Sequence, residues 1–163
     1  ILYFYELFKG TEMQLAQLMD TNAIQGTSPQ NITKTFQNFG LDAEFKENLS
    51  ISDLKSHLKT GNPLIVDYQA WRDSEASNPG WIKNDNCHYS VLIGIDSDFI
   101  YLMYPVLSAR YGYLSIDDFL IRWHDSEVDE KGTDIRQFNR AAILIKGKLP
   151  FPKKIPKSLF KIN

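Results

Sequence analysis

The sequence has little cysteine and histidine and no long apolar run. Its single cysteine, Cys87, excludes an internal disulfide framework and a zinc site built from cysteines, and three scattered histidines make a metal site unexpected. No apolar run approaches the ~20 residues that a membrane-spanning helix requires, which predicts a soluble domain. There is no GxSxG motif, so a serine nucleophile on a strand-to-helix elbow is not expected. We expect no metal and no other cofactor, and a cytoplasmic location is favoured.

What is present is the composition of an ordinary globular domain, with 43% hydrophobic and 23% charged residues in a chain of 163. The last 18 residues hold six lysines and no acid, whereas the remaining 145 carry 12 basic and 20 acidic side chains. This acidic body argues against nucleic acid as a partner, because phosphate binding requires a basic face. We expect a single domain over residues 1–145 and a basic Pro/Lys tail in solvent over residues 146–163.

The N-terminal residues ILYFYELFKG read as the end of a buried helix that stops near Gly10. Because the chain begins with Ile1 inside this apolar run, we expect residues upstream of it. The start of the first helix is therefore expected to be missing from this sequence.

Start signals for helices are clear in the rest of the chain. Ser28 with Pro29 predicts a helix that begins at Pro29 and stops at Gly40, Ser50 with Asp53 predicts a capping box, and Ser115 predicts a third helix start. The segments LIVDYQAW, HYSVLIGID, FIYLMY and RAAILIKG read as strands, most of them in the second half. A helical half followed by a mostly antiparallel sheet predicts an α+β fold.

His88 is the most informative candidate for chemistry. It ends a polar loop of 16 residues and opens an apolar strand, so its ring is expected at the rim of a sheet. A histidine there can act as a general base, and the alternative is a structural residue bonded to the loop. Cys87 is its neighbour, and because neighbours on a strand point to opposite faces, the two side chains cannot pair. His57 lies in the middle of a helix and is expected on the surface.

Aromatic residues flank the long polar loop. Tyr68, Trp71 and Trp81 could line a cleft, and core packing is the other interpretation. We take Tyr68, Gln69 and Trp71 as the candidate substrate-binding residues.

Five segments occur in an order that resembles a known family. They are GTSPQNI, FGLDAEF, GNPLIVDYQAW, HYSVLIGIDSDFIYLMYP and GYLSIDDFLIRWHD, and the resemblance runs from Glu12 to Ala142. Together they look like the papain-like cysteine peptidases related to bacteriocin-leader (double-glycine) processing enzymes. The resemblance implies a papain-like fold, with an N-terminal helical half packed on a C-terminal sheet, and an extended peptide or protein segment as substrate.

The resemblance also implies catalytic roles. In that family a cysteine begins the central helix, a glutamine a few residues earlier helps form the oxyanion hole, and a histidine opens the strand HYxVxxG. Matching ILYFYEL to the later turns of that helix puts the nucleophile about seven residues upstream of Ile1. The general base falls on His88. The aspartate that orients this histidine falls on Tyr104 in YLMYP, where a neutral phenol replaces a carboxylate.

Three functions stay open at this point. The first is a cysteine peptidase with a Cys–His mechanism and His88 as base. The second is a degenerate, non-catalytic module that grips an extended peptide, which Tyr104 favours. The third is a transglutaminase-like or amidase-like acyl transferase, because papain-like folds host several acyl-transfer chemistries.

Overall fold

The computed structural model describes residues 1–23, 26–71, 81, 87–103, 111–129, 133–147 and 159–161. Within these ranges the helices are α1 (Glu12–Leu18), α2 (Pro29–Asn38), α3 (Ile51–Lys59) and α4 (Ile116–Arg122). The strands are β1 (Asp42–Lys46), β2 (Leu64–Gln69), β3 (Cys87–Ile95), β4 (Phe99–Met103), β5 (Tyr111–Ser115), β6 (His124–Val128), β7 (Asp134–Asn139), β8 (Ala142–Lys146) and β9 (Leu159–Lys161). No helix among the described residues is both long and apolar enough to cross a membrane.

Seven of these strands form one sheet, in the order β1-β8-β2-β3-β4-β5-β9. Neighbouring strands are antiparallel, except that β9 runs parallel to β5. β6 and β7 form a separate antiparallel hairpin. The helices pack beside a mostly antiparallel sheet and do not alternate with parallel strands, so the predicted α+β class is confirmed.

The main sheet has a hydrophobic core on each face. On one side, which we call the α2 face, Ile65 and Ile143 pack with α2 and the N-terminal residues. On the other side, the α3/α4 face, Val66 and Leu92 pack with α3 and α4. Because side chains alternate along a strand, consecutive residues of β2 belong to different cores. This explains why every residue of β2 is buried.

The first residues form the end of a helical turn. The N–H of Tyr5 donates to the carbonyl of Ile1 at 3.1 Å. The N–H groups of Glu6 and Leu7 then donate to carbonyls three and five residues back, each at 3.0 Å, and Glu6 has a φ of 57°. These bonds and the left-handed residue make a Schellman motif, which closes a helix. The predicted helix end is therefore present, but it falls at Glu6 and not near Gly10.

Serine caps begin three helices where the sequence predicts them. Ser28 accepts a hydrogen bond from the N–H of Asn31 at 3.2 Å, and Pro29 occupies the first helical position of α2. Ser50 and Asp53 exchange the two bonds of a capping box at the start of α3. A third serine caps α4 in the same way as Ser28 caps α2. Each hydroxyl satisfies a backbone N–H that has no partner within its helix.

The predicted exposure of His57 is wrong, because its side chain is buried under the sheet. Its Nε2 donates to the carbonyls of Pro63 at 3.0 Å and Ile145 at 3.1 Å. Since Leu64 pairs with Leu144, Pro63 comes opposite Ile145 as β2 begins. Proline has no N–H to donate across the ladder. The imidazole of His57 supplies that donor from α3.

Two features of the C-terminal half differ from the expectation. β6 and β7, with the polar sequences HDSEV and DIRQFN, form a hairpin that the sequence does not predict. Three residues of the predicted solvent tail, Leu159–Lys161, pair with β5 as β9. The domain boundary between residues 145 and 146 is not tested by this pairing and stays a prediction.

Candidate active site

The candidate site lies where β2 and β3 pair at the rim of the sheet. The register places Tyr68 opposite His88 and Asp67 opposite Tyr89. Because side chains alternate, His88 lies on the α3/α4 face with Tyr68, and Tyr89 lies on the α2 face together with Asp67 and Cys87. The strand therefore presents two different sets of reactive groups, one on each side of the sheet.

His88 is half-buried at the second residue of β3. Its ring centroid lies 5.0 Å from that of Trp71, with the two ring planes inclined at 56°. Burial lowers the pKa of the His88 imidazole. A lowered pKa favours the neutral ring, which is the form that accepts a proton.

The three predicted substrate-binding residues differ in exposure. Trp71 exposes 39% of its surface beside His88, whereas Tyr68 exposes none and packs on Phe119 at 6.1 Å between ring centroids. Gln69 exposes 1%, and its amide donates to the carbonyl of His124 at 3.1 Å. Only Trp71 of the three presents a side-chain surface that a peptide could contact directly.

Trp81, within the long polar loop, is held by α4 and β6. The guanidinium of Arg122 lies 3.6 Å from the centroid of a Trp81 ring, and His124 Nε2 donates to the Trp81 carbonyl at 2.9 Å. Arg122 also donates two hydrogen bonds to Asp118, at 2.6 and 3.0 Å. The bond from Gln69 to the His124 carbonyl continues this network to β2. The network thus fixes one residue of the loop at the end of the strand pair.

The second predicted catalytic residue, Tyr104, lies outside the described residues, as do positions 72–80 and 82–86 of the polar loop. The role of Tyr104 at the orienting position therefore stays a prediction. The strand after the loop begins at Cys87, one residue earlier than the sequence indicates.

The structure brings together a group that sequence reasoning missed. Asp67, Cys87 and Asp125 each offer a ligand atom, and these atoms lie within 4.8 Å of one another. The phenol of Tyr89 donates to the Asp67 carboxylate. One signal was visible in the sequence, since Asp67 is a carboxylate inside the apolar strand LIVDYQ, where an acid requires a compensating partner.

The electrostatics of this group follow from burial. Desolvation, and next the hydrogen bond and charge of Asp125, hold the pKa of Asp67 well above its usual range, against a smaller lowering by bonds from Tyr89 and the Tyr68 backbone. Burial and the two nearby carboxylates also raise the pKa of Tyr89. The phenol is therefore neutral and remains a donor across the physiological range.

A cavity of about 260 Å³ lies under the N-terminal turn on the α2 face. Its walls are mostly apolar and include Ile1, Phe8, Phe36, Ile65 and Val91. Ile1 thus lies over the middle of β2 and β3.

Comparison with known proteins identifies the family. The model of the Peptidase_C39 like family matches residues 4–127, well over half of the chain. The chain belongs to this family. The resemblance drawn from the segments around His88 is confirmed, and this C39-like domain is a peptidase-like domain in the papain-like class.

Two solved structures share the fold of the C39-like domain. The peptidase domain of Streptococcus ComA, a bi-functional ABC transporter involved in a quorum-sensing pathway, matches with a TM-score of 0.57 and 18% identity over 88% of this chain and 82% of that one. A Bacillus anthracis protein named as a C39-like peptidase matches with a TM-score of 0.59 and 17% identity over 90% and 84%. No curated protein matches the sequence. At these identities the structural likeness shows the fold alone.

Proposed function

We propose that the C39-like domain is a cysteine peptidase that hydrolyses a bond within an extended peptide, with His88 as the general base. The observation that carries the proposal is the position of His88. It is the second residue of β3 at the rim of the sheet, half-buried against Trp71, in a chain whose family is peptidase-like. Family membership supports this reaction class, and the rim position lets the imidazole meet a bound substrate.

The nucleophile in this proposal is a cysteine upstream of Ile1. The helical turn that ends at Glu6 supports this placement, because it lies where the later turns of a cysteine-bearing helix are expected. Seven further helical residues would span about 10.5 Å. From Val91, which shares a cavity with Ile1, back to His88 along β3 is about 10 Å. An upstream thiol can therefore come level with His88 along β3 if the helix runs toward the start of that strand. Because the helix lies on the α2 face and His88 on the other face, the proposal requires the two groups to meet around the rim of the sheet.

The chemistry then follows the Cys–His scheme. His88 takes the thiol proton, the thiolate attacks the peptide carbonyl carbon, and the protonated imidazole gives its proton to the departing amine. Water attacks the resulting thioester and releases the acid product. With a phenol predicted at the orienting position, Tyr104 stabilises the imidazolium less than a carboxylate would, so we expect a slower enzyme.

Trp71 is the residue that we propose contacts the substrate first. It exposes 39% of its surface directly beside the His88 ring, so a side chain of an extended peptide can pack on its indole. Tyr68 and Gln69 remain predicted members of the substrate site, and their burial suits support of the strand beneath it.

A non-catalytic peptide-binding module is the second candidate. The observation that favours it is the tyrosine at position 104, where the family carries an aspartate. In that case Trp71 and the rim of β3 would hold the peptide, and His88 would take no part in bond breaking.

The test uses the full gene product, including everything encoded upstream of Ile1. Cleavage of a peptide library is followed by mass spectrometry, and iodoacetamide labelling locates the reactive thiol. We expect an upstream labelled cysteine, and His88→Ala should slow cleavage by at least about 100-fold. His57→Gln serves as a histidine control, because it lies in α3 outside the site and can keep the Nε2 bonds.

Two results separate the candidates. If no upstream cysteine exists and no cleavage occurs, while a peptide still binds with an affinity that His88→Ala leaves unchanged, the binding module is correct. If an amine acceptor is incorporated in preference to water, the reaction is acyl transfer and the hydrolase proposal is wrong.

A further inference from the structure

Three potential metal ligands converge on the α2 face from three strands. Asp67 comes from β2, Cys87 from β3 and Asp125 from the β6–β7 hairpin, and their ligand atoms lie within 4.8 Å of one another. Asp67 exposes 6% of its surface, and the other two are half-buried. Two carboxyl groups and a thiol brought together in this way repel one another when ionised.

Asp67 adds a second, independent observation. Its Oδ1 is buried and accepts no hydrogen bond, although the phenol of Tyr89 donates to the carboxylate. Buried acceptors in folded proteins are rarely left without a donor or a cation. The side chain is thus held by Tyr89, the Tyr68 backbone and Asp125, while its Oδ1 accepts no hydrogen bond.

The donor set selects the class of metal. Two carboxylate oxygens with one thiolate suit a borderline transition ion such as Zn²⁺, whereas Ca²⁺ and Mg²⁺ prefer oxygen ligands alone. At metal–ligand distances of about 2.0–2.3 Å, tetrahedral ligands lie roughly 3.5 Å apart. The half-buried side chains of Cys87 and Asp125 need to close by only about an ångström from their separation of at most 4.8 Å.

We propose that Asp67, Cys87 and Asp125 form a binding site for a divalent transition metal ion of the zinc class, with Tyr89 orienting Asp67. The ion ties the β6–β7 hairpin to the paired strands β2 and β3, to which no described backbone ladder joins the hairpin. With three protein ligands, the fourth position of a tetrahedral ion is left to water. The sequence pointed away from a metal because it has one cysteine and few histidines, and the carboxylates come together only in the fold.

This site is independent of the peptidase proposal. His88 lies on the opposite face of β3 from Cys87, so the site can exist whether or not the domain cleaves peptides. Metal binding is therefore measured on the protein directly and not through activity.

The experiment titrates the reduced chain with Co²⁺ and Zn²⁺. Cys87 is the only cysteine of the given sequence. A thiolate-to-cobalt charge-transfer band in the near ultraviolet is assigned to it, and not to a cysteine upstream of Ile1, when the change Cys87→Ser abolishes the band. We expect one equivalent of Co²⁺ to bind, Zn²⁺ to displace it, and bound Zn²⁺ to raise the thermal unfolding temperature.

The variants distinguish a site formed by all three ligands from metal binding by the Cys87 thiol alone. Cys87→Ser should abolish the band, and Asp125→Asn, which keeps the thiol, should weaken Co²⁺ binding by at least about 100-fold, since even residues behind the ligands typically cost 10- to 100-fold. Tyr89→Phe should weaken Co²⁺ binding about 10- to 100-fold, because Tyr89 orients the ligand Asp67 from behind. Asp42→Asn is the control, because it removes an exposed carboxylate on β1.

Two outcomes would overturn the proposal. The first is that the chain binds neither ion in stoichiometric amount. This would mean that a proton shared between the carboxyl groups of Asp67 and Asp125 is enough to relieve their repulsion. The second is a cobalt band that Asp125→Asn leaves unchanged, which would mean that Cys87 captures metal as an isolated thiol.

Discussion

Replacing His57 by phenylalanine tests the link between α3 and the sheet. The imidazole bonds the carbonyls of Pro63 and Ile145 at 3.0 and 3.1 Å, at a point where proline cannot supply the ladder donor. His57→Phe keeps an aromatic ring but removes the N–H. It leaves two buried carbonyls without that donor, and because an unsatisfied buried group costs about 1–3 kcal/mol, we expect a loss of about 2–4 kcal/mol in the free energy of unfolding.

His57→Gln is the matched variant, since its amide N–H₂ can occupy the position of the imidazole Nε2. We expect it to lose about 1 kcal/mol or less, because the donor is retained. Both variants are compared with the parent chain by urea unfolding followed by circular dichroism, with the m value checked for constancy. The reasoning is refuted if His57→Phe changes the free energy of unfolding by less than about 1 kcal/mol. It is also refuted if the glutamine variant is as unstable as the phenylalanine variant.

Three further predictions concern stability. Gly147→Ala should lower the free energy of unfolding by about 1–3 kcal/mol, because an added Cβ overlaps the ring of Tyr5. Thermal unfolding would measure this loss. Ser50→Ala should cost about 0.5–2 kcal/mol at neutral pH. Bonds from Ser50 hold the pKa of Asp53 below its usual range, so this stabilisation is present above the usual pKa and is lost as the pH falls through the folded-state value. The difference between parent and variant in urea unfolding should therefore become smaller in acid, where the bond from the Ser50 hydroxyl to the Asp53 carboxylate is lost and the cap bond from the Asp53 N–H remains. Arg122→Lys should lower the free energy of unfolding by about 2 kcal/mol, because the guanidinium no longer stacks on the Trp81 indole. Urea unfolding would measure it, and an unchanged midpoint would contradict this.

Local signals predicted the helix starts and the fold class. Ser28 and Ser50 cap helices in the structure because a side-chain hydroxyl satisfies a backbone N–H within three residues, which is a relation that sequence alone contains. The turn between β3 and β4 is likewise local, since Asp96 accepts the N–H groups of Asp98 and Phe99 at 2.8 and 2.7 Å.

Features that depend on distant partners were not predicted. The β6–β7 hairpin has no apolar alternation, and apart from Phe138 its described side chains are half-buried or exposed. His57 was expected in solvent from its place in the middle of a helix, and only the path of β8 shows why it is buried. Helix propensity carries no information about which strand will pass beneath a helix.

The candidate site also has one part that the sequence predicts and one part that it does not. His88 was found from the order of motifs around it, and the family match agrees with that order. The meeting of Asp67 with Asp125 was not found, because the two residues lie on β2 and β6 and share no local pattern. A buried acid in an apolar strand signals that a partner exists without saying where it comes from.

The position of β8 has a consequence for how the chain folds as it is synthesised. β1 and β2 emerge early but do not pair with each other, and the segment Ala142–Lys146 must be inserted between them to complete both ladders. A chain interrupted before Ala142 leaves β1 without its described strand partner and leaves one edge of β2 open. Open edges of apolar strands are where nascent chains associate wrongly, so this sheet depends on its late-synthesised segment to protect its early ones.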